Sequence, residues 1–371
     1  MINFKKIGAT ALAGSLVAMS AYAGEMAVTG SAAVTYKTGK KGTGDQGSIG
    51  NNSAISFNGT GELDNGWNFV MSVNSTDGFG AMSSSSSEDA ITSSYTSLTM
   101  GSMGTLTTGY GIGGAGSKYD EEVPQAYEQA SDALATGSSS SNKIGDQMDN
   151  GGLHYASPSF EIQGGTISFD AEFNPQASND GSGDGGQATY SATTGAGTSL
   201  GTTIKYDEVT FGIYGNQIDA RGTNAGTTDG ADSFEGVAFL KYSAGPLAMG
   251  VSTSYIDSGK STAGSASEAG YSLRTAGGIF TNDQISVAYN VSDDLSVSVT
   301  TSKDNYSGRG AGVLTATVDD VSVDTKTRSI QAAYSMGAMS VKAYNMTVKN
   351  PGYDSDAAEL SVTEIALGLA F

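Results

Sequence analysis

Few residues in this chain have the types and spacing that catalysis or metal binding requires. The sequence contains one histidine, His154, and no cysteine, so a transition-metal site lacks its usual ligands. Its lone histidine leaves little scope for a Ser-His hydrolase. The adjacent carboxylates Glu121 and Glu122 give no evidence of converging on another acid across a cleft. The sequence therefore predicts neither an enzyme nor a bound cofactor, and we interpret His154 as a hydrogen-bonded structural residue.

Two short segments resemble ligand-binding motifs. Gly109-x-Gly111-x-x-Gly114 matches the dinucleotide fingerprint, but no βαβ unit surrounds it and no helix follows, so we interpret it as chance in a chain with 53 glycines. The acidic segment 180–186 offers oxygen ligands for calcium, although it has neither EF-hand spacing nor tandem repetition. Calcium on acidic loops thus remains one expectation for this segment, and simple solvation is the other.

The chain is strongly acidic, with a formal net charge of −20 over 371 residues. This balance argues against nucleic acid as a partner, because phosphate binding needs clustered Lys and Arg. It favours attraction of cations, and it also suits hydrated surface loops.

The first 23 residues have the pattern of a secretory signal peptide. Lys5 and Lys6 precede an apolar core at 7–19, and Ala21-Tyr22-Ala23 forms a small-x-small cleavage site. The apolar core is shorter than the roughly 20 residues of a helical span. We expect cleavage after Ala23, which removes two lysines and no acid and so changes the net charge from −20 to −22.

The rest of the chain has the period-2 pattern of β-strands. In 247–255, 285–291 and 295–300, large apolar residues alternate with Ala, Gly, Ser, Thr or Asn, and the same alternation runs through 365–371 to a terminal Phe371. The second face is small and hydroxylated rather than charged, which suits a wall with lipid outside and water inside. Tyr residues at strand ends and Trp67 suit an interfacial girdle.

Short and long connections alternate along the chain. The tight turns are predicted at 64–66, 102–104, 164–165, 207–208, 245–246, 293–294 and 337–338. The long connections are predicted at 38–51, 76–91, 111–150, 174–199, 218–233, 257–270, 303–325 and 349–358. This pattern predicts that 24–371 form one antiparallel up-and-down transmembrane β-barrel of about 16 strands, a size that leaves an aqueous channel.

Several segments of the chain resemble Gram-negative general diffusion porins, especially the acidic porins of alphaproteobacteria. The segment 61–67 (GELDNGW) resembles the first periplasmic turn of porins, 104–110 (GTLTTGY) the strand leading into the constriction loop, and 149–158 (DNGGLHYASP) the strand leaving it. Phe371 resembles the C-terminal aromatic residue of the family.

The resemblance implies that the third long connection, 111–150, folds into the lumen and narrows it. Its acids, predicted to face the pore, are Asp120, Glu121, Glu122, Glu128 and Asp132. Strand parity places the opposing basic wall residues at Lys37, Lys205, Lys241 and Arg274. Tyr110 and Met148 lie near positions where many porins have arginine, so we expect a weakly polarised constriction with a net preference for cations.

The expected function is passive diffusion of small hydrophilic solutes and ions through a channel in the outer membrane of a Gram-negative cell. The resemblance implies a homotrimer in contact with outer-membrane lipid and lipopolysaccharide. Two alternatives remain at this stage: a solute-specific channel, for instance for sugars, which needs a track of lumenal aromatic residues, and a secreted or surface structural β-protein of adhesin type.

Overall fold

The computed structural model describes residues 24–41, 44–76, 91–112, 114–130, 143–148, 150–177, 194–220, 231–259, 277–309 and 318–370. Nearly all of them lie in one antiparallel sheet. Its strands are β1 Glu25–Lys41, β2 Gly44–Glu62, β3 Asn68–Thr76, β4 Ser93–Thr99, β5 Thr105–Tyr110, β6 Leu153–Ala156, β7 Phe160–Ile162, β8 Gly165–Asn174, β9 Thr194–Tyr206, β10 Val209–Ala220, β11 Ser233–Ala244, β12 Leu247–Asp257, β13 Gly278–Asn290, β14 Leu295–Arg309, β15 Val318–Met336, β16 Met339–Lys349 and β17 Leu360–Ala370.

The sheet closes on itself, because β1 pairs with both β2 and β17. β6 and β7 both pair with β8, along different parts of its length, and so share one position in the ring. They are separated at Pro158, which cannot donate to the ladder; next to it, the Ser157 hydroxyl accepts the Phe169 N–H at 2.8 Å. The seventeen segments therefore occupy sixteen positions, which confirms the predicted barrel.

All seven predicted tight turns lie at the joins between consecutive strands. Four long connections are shorter than predicted, two of them much shorter, and the one after β12 is longer, since β13 begins at Gly278. β1 continues to Lys41 and β2 resumes at Gly44, within the expected connection 38–51; β14 continues to Arg309 and β15 resumes at Val318, within 303–325. Where a strand extends beyond the bilayer, both of its faces meet water, so the apolar alternation disappears while the backbone ladder continues. Polarity alone was therefore a poor guide to the strand ends.

The alternation expected for a membrane wall is present on the strands. On β13 and β14, Ile285, Val287 and Val299 are exposed outward, whereas Ser286 and Ser298 between them are buried on the inner side. Among the described residues, no helix is long and apolar enough to span a bilayer.

Aromatic side chains cluster on the outward face at the rim that carries the short turns. Tyr206, Tyr242, Tyr289 and Tyr334 are exposed, and each lies within three residues of the turn that follows its strand. Trp67 adjoins the first turn and shares the strand parity of the exposed Met71. This distribution matches the predicted interfacial girdle.

The buried apolar core lies inside the barrel rather than between two layers. It combines inward wall residues with residues of two connections, and its members are Ala115, Tyr119, Ile144, Tyr214, Val237, Phe239, Ile256, Phe280, Tyr306 and Tyr353. The connection 111–150, called loop 3 below, provides three of these, so loop 3 packs within the lumen.

Candidate pore constriction

The base of loop 3 is closed where the chain leaves β5 and returns to β6. The Gly111 N–H donates to the Asn150 side-chain oxygen at 2.7 Å, and the Gly151 N–H donates to the Gly109 carbonyl at 2.9 Å. These two bonds pin both ends of the loop at one place on the wall, which matches the predicted limits 111–150.

The first anchor of loop 3 is Asp170, an inward residue of β8 that is 4% exposed. One of its oxygens accepts a hydrogen bond from the Tyr119 hydroxyl at 2.8 Å. The other pairs with Lys118 of the loop and lies 2.9 Å from His154 Nε2 on the wall. One carboxylate thus collects three side chains, and His154 is the hydrogen-bonded wall residue that its sequence context predicted.

Packing around Tyr119 explains one small residue of the wall. Its ring stacks on Tyr214 of β10, with ring centroids 5.4 Å apart. A Cβ at Gly201 of β9 would lie 2.5 Å from this ring, so only glycine lets the loop approach so closely. Nearby, Glu172 of β8 accepts the Ala115 N–H at 2.9 Å.

The middle of loop 3 crosses β11, β12 and β13. Glu122 forms an ion pair with Lys241 of β11. Pro124 lies so close to β12 that a Cβ at Gly250 would be 2.5 Å from its Cδ. The Ser286 hydroxyl of β13 donates to the Pro124 carbonyl.

Further along, the loop is bound to β14, β15 and β17. The Ala126 N–H donates to the Ser298 hydroxyl at 2.9 Å, and the Tyr127 N–H donates to the Gln331 side-chain oxygen at 2.7 Å. The Tyr127 hydroxyl donates to Glu364 of β17, also at 2.7 Å. Because Lys37 of β1 lies 3.4 Å from the same Glu364 carboxylate, the loop reaches almost to the strand at which the barrel closes.

The returning limb of loop 3 is fixed again near its start. The Gly145 N–H donates to Glu235 of β11 at 2.7 Å, and Asn216 of β10 donates to the same carboxylate oxygen at 2.9 Å. A Cβ at Gly116 would lie 2.7 Å from the Gly145 Cα, so the two limbs of the loop touch through their glycines.

Burial raises the pKa of both loop tyrosines above the ordinary value for a phenol. For Tyr127 the hydrogen bond to Glu364 is the next largest cause of the increase; for Tyr119 the Asp170 carboxylate raises the pKa further, while Thr203 opposes it. Both phenols therefore stay protonated at neutral pH and remain donors to the wall carboxylates.

The predicted acidic residues of loop 3 occupy different environments. Glu121 is 1% exposed, Glu122 is bound to Lys241, and Asp120 and Glu128 are half-buried. Asp132 lies outside the described residues. Two of the predicted pore-facing acids, Glu121 and Glu122, are thus covered where the loop meets the wall.

The three predicted basic residues that the structure describes face inward but lie apart from one another. Lys37 is next to Glu364, Lys241 holds Glu122, and Lys205 is exposed near the short-turn end of β9. Arg274 lies outside the described residues, as do the signal peptide, Phe371 and the calcium candidate 180–186. Within the described ranges, no group of three or more His, Cys, Asp or Glu side chains is arranged to hold a metal ion.

Sequence reasoning missed the wall carboxylates that hold loop 3, namely Asp170, Glu172, Glu235 and Glu364. A signal was present in 169–173, where Asp170 and Glu172 occupy the inward positions between outward Phe169, Ala171 and Phe173. A charged residue at an inward strand position could have been interpreted as a partner for a lumenal loop.

The inner wall of β2–β5 is chemically different. Between the rims the inward side chains of these described strands are uncharged and, apart from Ala54 and Val70, mostly polar; they include Asn52, Ser56, Asn58, Ser72, Asn74, Ser97 and Thr107. Apart from the closed base at Gly109 and Gly111, all the hydrogen bonds and ion pairs given above connect loop 3 to strands within β8–β17.

A sequence model of the Gram-negative porin family matches residues 8–305. The chain belongs to the Gram-negative porin family. Porins are outer-membrane channels for passive diffusion, and the closed barrel described above is the fold that this activity requires.

Solved porin structures resemble this barrel over nearly its whole length. OmpF of Salmonella typhi, in complex with daunomycin, aligns with a TM-score of 0.67 at 13% identity, over 94% of this chain and 98% of that one. OmpT of Vibrio cholerae in its trimer form gives 0.57 at 12%, over 94% and 100%. A mutant Rh. blastica porin gives 0.54 at 15%, over 93% and 100%. At these identities the likeness shows the fold alone. A comparison with curated protein sequences gives no match.

Proposed function

We propose that this porin is a general diffusion channel for small hydrophilic solutes and ions, with a preference for cations. The observation that carries the proposal is the path of loop 3, which is bound to inward residues of β8, β11, β13, β14, β15 and β17. A loop fixed in this way narrows the lumen toward the neutral wall of β2–β5, so solutes are selected by size without any chemical step.

Cation preference is supported by the charges around the lumen. Among the residues that the structure describes, inward wall and loop carboxylates outnumber the corresponding lysines. The carboxylates are Asp120, Glu121, Glu122, Glu128, Asp146, Asp170, Glu172, Glu235, Asp304 and Glu364; the lysines are Lys37, Lys118, Lys143, Lys205, Lys241 and Lys342. A narrow passage with low-dielectric walls strengthens the effect of this excess on passing ions.

A solute-specific channel is less well supported. The inward aromatic residues Tyr214, Phe239, Phe280 and Tyr306 are at most 4% exposed, because loop 3 and Tyr353 pack over them. They therefore offer no open track to a sugar.

We further propose that the protein is a homotrimer in the outer membrane and is exported through the signal peptide at 1–23. A solved neighbour, OmpT, is described as a trimer.

The test is the reversal potential of single channels in a planar bilayer under a potassium chloride gradient. The proposal requires stable open steps whose reversal potential has the sign of a potassium preference. An ohmic channel that prefers chloride would contradict the cation preference, and well-inserted protein without conductance would contradict the open channel.

A further inference from the structure

A row of charged side chains crosses the outward face of four neighbouring strands. In register, Asp283 of β13 lies opposite Lys303 of β14, Lys303 opposite Lys326 of β15, and Lys326 opposite Lys349 of β16. Their parity is that of outward residues such as Ile285 on β13. Cross-strand neighbours are only about 4.5–5.5 Å apart at Cβ, so three consecutive lysines repel one another.

Carboxylates balance this row only in part. Asp324 lies 3.1 Å from Lys303 and 3.7 Å from Lys326. The exposed guanidinium-bearing Arg328 is opposite Thr301 of β14, one outward position below Lys326. With Lys349, which lies 3.9 Å from Glu359, the row and Arg328 bring four cations against three acids, Asp283, Asp324 and Glu359. This leaves a local excess of one positive charge in a chain of net charge −20.

These cations lie where the apolar outer face ends. On β14 the outward Val297 and Val299 give way to Thr301 and Lys303. Lys303 is eight residues from Leu295 at the short-turn rim, or roughly 26 Å along the strand at about 3.3 Å per residue. The apolar band of such barrels is about 25 Å tall. Because strands of such barrels tilt by about 35–45°, this length spans only about 20 Å of height. The Lys303 backbone therefore lies just inside the upper edge of the band, and its long side chain reaches headgroup level on the long-loop side.

An open groove of about 540 Å³ begins beside Lys303 and extends over β10–β14. Ala238 is the small outward residue within it, and Phe211, Leu240 and Ile285 are among its apolar sides. Asp283, Thr301 and Lys303 line its polar part. The groove is thus apolar at one end, and the cations lie just past its other end. A lipid molecule has the same arrangement, with apolar acyl chains at one end and a polar headgroup at the other.

We propose that this groove and the adjacent cations form a binding site for a lipid with a net-anionic phosphate headgroup, with an acyl chain over Ala238 and the phosphate against Lys303, Lys326 and Arg328. An anionic phosphate relieves the repulsion within the lysine row, and Arg328 can bind it through two parallel N–H donors. The charge complementarity and the apolar groove together favour a lipid over a soluble anion.

The charge requirement is tested by native mass spectrometry of the folded full-length barrel in a neutral detergent, titrated with phosphatidic acid or with phosphatidylcholine of the same chains. We expect selective retention of phosphatidic acid, and a loss of affinity of about tenfold or more in the Lys303→Gln/Lys326→Gln/Arg328→Gln variant, since several charge-assisted hydrogen bonds disappear. The control, Lys37→Gln/Lys205→Gln, removes lysines from the inner face and should retain the lipid. Equal binding of the two lipids, or undiminished binding by the triple variant, overturns the proposal.

The groove is tested separately from the charges. Ala238→Trp fills the groove and should weaken phosphatidic acid binding, whereas Ala332→Trp, an outward residue of β15 away from the groove, should not. Heat-modifiable migration in gels verifies that every variant is folded. If inorganic phosphate displaces phosphatidic acid at equal concentration, or if Ala238→Trp binds normally, the site recognises only the anion and the lipid proposal fails.

Discussion

Strands β8–β17 and strands β1–β5 form two halves of the inner wall that are built in different ways. On β8–β17, buried carboxylates such as Asp170, Glu235 and Glu364 hold loop 3 through its backbone, its tyrosines and Lys118. On β2–β5, hydroxyl and amide side chains such as Ser56 and Asn58 face the lumen without such charges. The same β-ladder thus supports a half whose inner face is covered by loop 3, called the clad half (β8–β17), and a half whose inner face is not held to loop 3 in this way, called the bare half (β2–β5).

The difference teaches that most described acids near the constriction have a structural task. Glu121 is buried and Glu122 is bound to Lys241, so both carboxylates are largely covered by protein. The ion selectivity of the passage between loop 3 and the bare half then depends on the remaining acids and on the absence of basic residues on β2–β5. Each prediction below changes one side of this comparison.

Removing loop 3 from the clad half should have the largest effect on the channel. Replacing residues 115–147 with two glycines takes loop 3 out of the lumen. The single-channel conductance should then rise by about twofold or more, because the narrowest section of the channel is lost. Deleting 224–228 from the connection between β10 and β11 is the control, and it should leave conductance near that of the wild type. Unchanged conductance after loop 3 deletion would place the loop outside the current path.

Breaking one anchor should have the next largest effect. Asp170→Ala leaves Tyr119, Lys118 and His154 without their shared acceptor, so the free energy of unfolding in detergent should fall by about 2–4 kcal/mol. The control, Glu161→Ala, removes an exposed carboxylate and should change it little. If both variants unfold alike, Asp170 does not hold the loop in place.

The sequence predicted much of the barrel but little of this anchoring. Turns such as Asp64-Asn65-Gly66 and Gly245-Pro246 have local chemistry that acts within a few residues, and outward residues such as Val299 follow the pleat. The anchors join positions far apart, for example Tyr127 and Glu364, and no local pattern encodes such pairs. The acids of loop 3 were visible in the sequence, but whether Glu121 faces water or protein depends on how the whole loop folds against the wall.

Adding charge to the bare half should change selectivity while conserving the fold. Asn58→Arg places a cation on the inner face of β2, opposite loop 3, and the potassium-to-chloride permeability ratio should fall by about twofold, because a positive charge on a pore wall raises the barrier to cations. Asn58→Gln adds bulk without charge and should retain the ratio. An equal shift in both variants would indicate a steric effect rather than an electrostatic one.

The smallest effect is expected from the ion pair between loop and wall. Glu122→Gln leaves Lys241 without this carboxylate and should lower cation preference slightly, whereas Glu122→Gln with Lys241→Gln removes both charges and should return the reversal potential close to the wild-type value. The reason is that a close pair presents little net charge to a passing ion, and salt screens what remains. If the double variant shifts the reversal potential as much as Asn58→Arg does, Glu122 contributes directly to the current path, and the acids of the clad half set selectivity as the sequence first predicted.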